Sequence, residues 1–207
     1  PMSVSEPASR GAAEPTEPAG DPRHVADAIE AEAWRDMFAA MPAPLASATR
    51  ARVVDAGGAV VFVAPGIPTP FFNRAIGLGA ARPATEADLD AVLATYEPGS
   101  PFFVHTPSSD PACADLEGWL RARGLAPFAA RPTWAKCLRG PERPPEVATS
   151  LVVREADPAR ASELAAVIAA AHGMPPPMLP WIVALVGRPS WHTYSVMDGD
   201  AIVGGGM

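Results

Sequence analysis

Prolines constrain this chain more than any other feature of its sequence. There are 26 of them among 207 residues. Each one fixes φ and removes a backbone donor, which limits how far a helix or a central strand can run. Pro141, Pro144 and Pro145 fall close together, a density that is typical of a linker. The sequence therefore predicts two folded units, with a linker at residues 141–150 between them.

The part of the chain before the linker divides again. Residues 1–20 carry four prolines and three glutamates with almost no large apolar side chain, so they cannot bury enough surface to offset the entropy lost on ordering. We expect a disordered tail at residues 1–20, a first domain at residues 21–140 and the beginning of a second domain at residues 151–207.

The charge balance excludes one broad class of partner. The chain has 16 basic and 23 acidic residues, a net charge of −7, and so lacks an electrostatic footprint for the phosphate backbone of a nucleic acid. No apolar run approaches the roughly 20 residues that cross a bilayer. The first residues also lack the basic and apolar regions of a signal peptide. We therefore expect no nucleic-acid partner and no membrane partner.

Cysteine and histidine usage indicates a cytoplasmic protein without a metal site. Cys113 and Cys137 are two thiols in a long chain, which fits a reducing compartment better than a disulfide framework. The four histidines are isolated from one another and show no metal-ligand spacing. The sequence therefore predicts a cytoplasmic location and no bound metal.

The first domain alternates between helical and strand patterns. Asp21 before a proline is a helix-start signal, Gly57-Gly58 separates two β-branched runs as in a hairpin, and Thr85 with Asp88 resembles a capping box. The predicted elements are a helix at 22–41, strands at 52–54, 59–64 and 71–78, a helix opening at 85, a short strand at 102–104, a helix at 110–123 and an extended region at 127–138.

The second domain has a simpler order. Gly173 follows a helical pattern and is a C-terminal cap signal, and Asp198-Gly199 is a two-residue hairpin signal. The predicted elements are a strand at 151–154, a helix at 158–172, a short apolar helix at 178–186 and strands at 193–196 and 201–203.

One segment of the first domain has the pattern of a phosphate-binding loop. Arg74, Gly77 and Gly79 follow a predicted strand and precede a helix, an arrangement in which free backbone N–H groups can hold a pyrophosphate. The helix begins late, however, and its first turn carries Glu86 and Asp88, whose charge repels phosphate. We expect a degenerate loop that does not function in cofactor binding.

The order strand, helix, short helix and hairpin in the second domain resembles the beginning of the GNAT superfamily of acyl-CoA N-acyltransferases. Several sequence segments also resemble those of a bacterial subgroup with two tandem GNAT-like halves. These segments lie at residues 72–79, 83–89, 180–189, 191–194 and 198–200. The resemblance implies an α/β fold, with mixed and mostly antiparallel sheets flanked by helices. It also implies a degenerate first half, and a second half that binds acetyl-CoA on a glycine-rich loop after its fourth strand. The chain ends before such a loop, so we expect the second half to be incomplete.

Transfer in this superfamily depends mostly on positioning. The thioester carbonyl is hydrogen-bonded to a strand backbone, a splayed strand pair admits the amine, and a base removes its proton. The resemblance implies a small-molecule or peptide amine as acceptor. Candidate residues of the acceptor cleft are His172, Trp181, His192 and Tyr194. Core packing explains Trp181 better than a role in the cleft does, and a structural role explains His192 better; no general base is assigned.

Two other interpretations remain open. The chain is alternatively a non-catalytic GNAT-like module that binds a partner or regulates a companion enzyme. A further alternative is that another chain supplies the missing strands at the edge formed by residues 201–206, as a homo-oligomer or a complementing chain.

Overall fold

A computed structural model of the protein describes residues 22–106, 114–128 and 148–207. The described residues before the predicted linker, which we call the first domain, contain four helices and four strands. These are α1 (Pro22–Ala39), α2 (Ala43–Thr49), β1 (Arg52–Ala56), β2 (Ala59–Val63), β3 (Arg74–Ile76), α3 (Glu86–Leu93), β4 (Phe103–Val104) and α4 (Ala114–Ala122).

The described residues after the linker, which we call the second domain, contain two helices and three strands, with the order that their sequence predicts. These are β5 (Val152–Glu155), α5 (Ala161–His172), α6 (Leu179–Val183), β6 (Tyr194–Asp198) and β7 (Ala201–Gly206). Single 3-10 turns at Pro158–Arg160 and Pro176–Met178 precede the two helices.

The first sheet is mixed and has the order β1-β2-β3-β4. Its first three strands are antiparallel neighbours, whereas β4 returns parallel to β3 after the crossover through α3. The turn between β1 and β2 consists of Gly57 and Gly58, which have φ of 58° and 78°. Positive φ at both positions is what a two-residue hairpin turn of type I′ requires, so glycine suits both positions.

Helices cover both faces of the first sheet. One face packs against α3 and α4; its buried residues include Val61, Val63, Ala75, Leu89, Val92, Leu116 and Leu120. The other face packs against α1 and α2 and includes Phe38, Met41, Phe62, Ala64 and Ile76. Alternate residues of each strand therefore enter separate apolar cores, as the two-residue period of a strand dictates.

The second sheet is antiparallel, has the order β5-β6-β7 and packs one face against α5. Leu164 of the helix contacts Met197 and Ile202 of the sheet. A Cβ at Gly205 would lie 2.4 Å from Leu164 Cδ1, so glycine at this position lets the helix approach the strand. Four of the five strand pairings in the described residues are antiparallel, and the prediction of an α/β fold with mixed sheets flanked by helices is confirmed at that level.

Two predicted elements of the first domain are wrong in their bounds. The helix expected at 22–41 ends at Ala39, and a second helix follows, with Pro42 as its N-cap and Pro44 in its first turn. The strand expected at 71–78 is limited to Arg74–Ile76, because residues 70–72 form a 3-10 turn. Proline lacks only an N–H that the first turn of a helix leaves unbonded, so it starts a helix as readily as it stops one.

The short apolar helix of the second domain is also shorter than the prediction of 178–186, since it spans Leu179–Val183. The predictions for residues 1–20, the start of the helix at 110, Cys113, Cys137, most of the region 127–138 and most of the linker lie outside the described residues. Within the described residues, no helix is both long and apolar enough to cross a bilayer.

Candidate functional site

The loop after β3 begins with two glycines in the left-handed region, as a phosphate-binding turn does. Gly77 and Gly79 both have φ of 86°. Helix α3 begins only after Thr85, whose hydroxyl accepts a hydrogen bond from the Asp88 amide at 3.2 Å. The Asp88 carboxylate accepts in return from the Thr85 amide at 2.9 Å. The helix N-terminus is therefore closed by a reciprocal capping box formed by its own residues.

The acidic residues of α3 are held by two arginines. Arg82 donates to both carboxylate oxygens of Asp88 at 2.7 Å, and this contact holds the pKa of Asp88 well below its usual range. Arg123, at the end of α4, bonds Asp90 at 2.6 Å and Glu86 at 3.0 Å. The negative charge of the first turn is thus balanced, and the arginines that balance it are engaged in ion pairs.

The parallel strands β3 and β4 are joined along their short length. The Phe103 amide donates to Asn73 O and the His105 amide donates to Ala75 O, both at 2.9 Å. These bonds occupy the carbonyl groups of β3 that face β4. A substrate has no gap between these two strands in which to pair with the backbone of β3.

Arg74 lies in a polar cluster that local sequence patterns do not reveal. Its side chain is buried, donates to Glu30 Oε1 at 3.1 Å and stacks 4.1 Å from the centre of the Trp34 ring. His105 Nδ1 lies 3.9 Å from the other oxygen of Glu30. Burial lowers the pKa of His105, while the Glu30 carboxylate opposes that shift. We call Glu30, Trp34, Arg74 and His105 the Arg74 cluster; it ties α1 to the first sheet.

Trp181, one of the four candidates for the acceptor cleft, joins the two domains. It is 2% exposed, and its ring lies 5.6 Å from Phe38 and 5.2 Å from Phe72. Its Nε1 donates to Met37 O at 2.6 Å. The side chain of Trp181 therefore has its polar and apolar requirements met within the core between α6 and α1.

A second contact between the domains centres on Asp36 of α1. Its carboxylate accepts two hydrogen bonds from Arg188, at 2.6 and 2.7 Å, and one from Trp191 Nε1 at 2.7 Å. These donors lower the pKa of Asp36 to about 2. Residues 187–191, which we call the junction segment, are thus fixed to α1 immediately before His192. Ser190 within this segment has φ of 68°, a left-handed conformation that is uncommon for serine.

The other three candidates lie at the surface. His172 is exposed at the end of α5, His192 is exposed after the junction segment, and Tyr194 opens β6 with 44% of its surface exposed. Thr193 between the last two is buried, so His192 and Tyr194 have the alternating exposure of residues that share one face. None of the hydrogen bonds or ring contacts of Trp181 joins it to the three polar candidates.

Local sequence patterns give no sign of Asp36, Glu30 or His105. Asp36 and Arg188 are 152 residues apart, and Glu30 and Arg74 are 44 apart. In the part of the chain that the structure describes, no group of three or more His, Cys, Asp or Glu side chains is arranged to hold a metal ion.

Comparison with protein-family models, with curated proteins and with solved structures finds no match to this chain.

Proposed function

We propose that this protein is an N-acetyltransferase of the tandem GNAT type, which transfers an acetyl group from acetyl-CoA to the amine of a small molecule or peptide. The observation that carries this proposal is a repeated order of elements. In each domain a longer helix, a short helix and an antiparallel hairpin with a two-residue turn follow one another, as α1-α2-β1-β2 and as α5-α6-β6-β7. The repeat supports two related halves, and β5 precedes the second copy as the first strand of a GNAT fold does.

The proposed reaction places modest chemical demands on the protein. The amine nitrogen attacks the thioester carbonyl carbon, the carbon–sulfur bond breaks, and coenzyme A leaves as a thiolate. The proton that the amine loses passes to a base or to water. The protein's contribution is to hold the amine and the thioester in line, and we assign no side chain as the base.

The first half serves in this proposal as a structural partner. Its β3–β4 pair is closed by backbone hydrogen bonds, and the N-terminus of α3 is occupied by the Thr85–Asp88 capping box. Both features support the expectation that Arg74, Gly77 and Gly79 do not bind the cofactor. We infer that the acetyl-CoA site belongs to the second half.

The acceptor cleft in this proposal lies beside the junction between the halves. Asp36 and Met37 of α1 hold the junction segment and Trp181, and the chain then passes directly into His192 and Tyr194. His172 ends the neighbouring helix α5. In this proposal the first half supports the cleft, and the second half contributes its polar side chains, which are His172, His192 and Tyr194.

The test is an acetylation assay on the product of the complete open reading frame that encodes these residues. Release of the coenzyme A thiol from acetyl-CoA is measured with a panel of small amines and peptides, and mass spectrometry identifies the product. We expect amine-dependent release and a product heavier by one acetyl group. His192→Gln and Tyr194→Phe raise KM for the amine, while Arg82→Gln, at an exposed residue of the first half, leaves KM for both the amine and acetyl-CoA unchanged. A panel without any amine-dependent release contradicts the proposal.

A second candidate function, a non-catalytic GNAT-like module, is favoured by one observation. The segment of the first half that would hold a cofactor is closed both at β3–β4 and at α3. A thermal-shift titration of the 207-residue chain with acetyl-CoA addresses this segment. A saturable rise in Tm that Gly79→Val removes would contradict the idea that this segment is degenerate. Absence of both binding and turnover in the complete protein favours the binding module.

A further inference from the structure

Methionines are concentrated where the two domains meet. Four of the six methionines that the structure describes belong to the core that Trp181 enters. Met37 and Met41 come from the first domain, and Met174 and Met178 come from the second. A thioether side chain is unbranched and polarisable, so it fills irregular gaps between packed surfaces. The contact between the domains is therefore built in part from side chains that share one reaction, oxidation at sulfur.

Burial divides these four methionines into two pairs. Met41 is 7% exposed and Met178 is 4% exposed, so solvent hardly reaches either side chain. Met37 and Met174 pack against the same core but are only partly buried. Since a reagent dissolved in water must reach the sulfur to oxidise it, Met37 and Met174 are the pair of this core that such a reagent attacks first.

Met37 lies among the bonds that hold the second domain to α1. Its own carbonyl oxygen accepts the hydrogen bond from Trp181 Nε1 at 2.6 Å. The preceding residue, Asp36, accepts hydrogen bonds from Arg188 and Trp191. A change that displaces the Met37 side chain from the core therefore acts on the turn of α1 that makes both sets of bonds.

Met174 connects the interior of the second domain to the same contact. It follows the Gly173 cap of α5, and its amide donates to Ala169 O at 2.8 Å. Its side chain packs against two cores, the one that contains Trp181 and the one between α5 and α6 that contains Ile182. The position of α6 against α1 thus depends on Met174 from one side and on Met37 from the other.

We propose that Met37 and Met174 are sites of reversible oxidation by hydrogen peroxide, and that their sulfoxides loosen the docking of the second domain on α1. The thioether sulfur attacks one oxygen of the peroxide, a sulfur–oxygen bond forms, the oxygen–oxygen bond breaks and water leaves. The sulfur is oxidised by two electrons, and the peroxide is reduced. This inference goes beyond the acetyl transfer proposed above and does not depend on it.

The loosening follows from the polarity of the sulfoxide. Oxidation places a polar oxygen against a core whose other members are apolar and aromatic side chains. Burial of a polar group without a hydrogen-bond partner is unfavourable, so the modified side chain is better accommodated when the domains separate. Among the described residues, the core that α3 and α4 form with the first sheet contains no methionine. We therefore expect this second core to be insensitive to peroxide.

The experiment treats the 207-residue chain with dilute hydrogen peroxide. Peptide mapping by mass spectrometry follows each methionine, and we expect Met37 and Met174 to be oxidised at least about tenfold faster than Met41 and Met178. Their oxidation lowers the Tm by about 4 °C or more. Amide hydrogen exchange becomes faster in α6 and the junction segment but not in α3. Treatment with methionine sulfoxide reductases and dithiothreitol reverses both changes.

Two variants separate these sites from general oxidative damage. Met37→Leu combined with Met174→Leu keeps the apolar volume and removes both sulfurs, so peroxide no longer lowers the Tm of this double variant. Met207, directly after β7, is 46% exposed. Met207→Leu therefore removes an accessible sulfur outside this core and gives no protection. Circular dichroism before treatment confirms that each variant is folded.

Three outcomes overturn the proposal. The first is that Met41 and Met178 are oxidised as fast as Met37 and Met174. The second is that Met37 and Met174 are fully oxidised while the Tm and the exchange rates of the junction segment stay unchanged, a result that needs no variant. The third is that peroxide lowers the Tm of the double variant as much as that of the wild type.

Discussion

Each of the two sheets of this chain contains a hairpin that follows a longer helix and a short helix, yet the two hairpins are buried to different extents. In the first sheet Val61, the third residue after the hairpin turn, is fully buried under the helices α3 and α4. Val203, the third residue after the hairpin turn of the second sheet, is 49% exposed. One face of each sheet is covered by a helix, α1 in the first sheet and α5 in the second. The difference is on the opposite face, which α3 and α4 cover only in the first sheet. A hairpin with one covered face buries about half of the apolar surface that a hairpin between two layers buries.

The second domain compensates in part by docking on the first. Trp181 enters the core formed by Phe38 and Phe72, and the junction segment bonds to Asp36. These contacts make α1 part of both domains. We therefore expect the stability of the whole to depend most on the first sheet and its contacts with α1, and least on the face of the second sheet that points away from α5.

The largest expected effect is at the centre of the first sheet. Phe62 is fully buried, and its ring lies 5.2 Å from Phe38 and 5.8 Å from Trp34. Phe62→Ala leaves a cavity where these rings meet and costs about 3–5 kcal/mol of unfolding free energy. Urea denaturation followed by circular dichroism measures it. Phe71→Ala, at a largely exposed phenylalanine, is the control, and a loss as large as that of Phe62→Ala would contradict the assignment of the core.

A smaller effect tests the comparison of the two hairpins directly. Val61→Ala removes two buried methyl groups and lowers the free energy of unfolding by about 2 kcal/mol. Val203→Ala makes the same chemical change at the equivalent exposed position and changes it by less than about 0.5 kcal/mol. Both are measured by urea denaturation. Equal losses at the two positions would mean that the face of the second sheet that points away from α5 is covered in solution.

Local signals account for much of the fold. The Thr85–Asp88 capping box, the Gly57-Gly58 turn and the Gly173 cap all lie where the sequence predicts them, because each depends on residues within a few positions of one another. The prediction failed at α2, where Pro44 starts a helix instead of preventing one. The helical spacing of Ile29 and the apolar residues Trp34 and Phe38 in the predicted helix would also place Ile29 in the core, but the structure leaves it exposed.

The candidate site was less accessible to prediction than the fold. The buried face of α1 is set by Ala31 and Phe38, and that choice depends on where the sheet lies and not on the helix alone. Asp36 and Arg188 meet because two domains pack together, and no local pattern encodes a contact across 152 residues. His192 and Tyr194 were identified from their spacing in a strand, but their role remains a prediction.

The smallest expected effect concerns the docking of the two domains. Three hydrogen bonds from Arg188 and Trp191 hold the pKa of Asp36 at about 2, below the 3.8 of an ordinary aspartate. A carboxyl group with a depressed pKa in the folded state stabilises the protein above its unfolded pKa. That contribution is lost as the pH falls through the folded value.

We expect the Tm of the wild type to fall between about pH 4 and pH 2 more steeply than that of Asp36→Asn, with the two curves converging at the acidic end. Differential scanning calorimetry at several pH values measures both curves, and Asp115→Asn on α4 serves as the control. Parallel curves for the wild type and Asp36→Asn would show that this carboxylate does not stabilise the docking of the two domains. The contacts of Trp181 would then account for the docking.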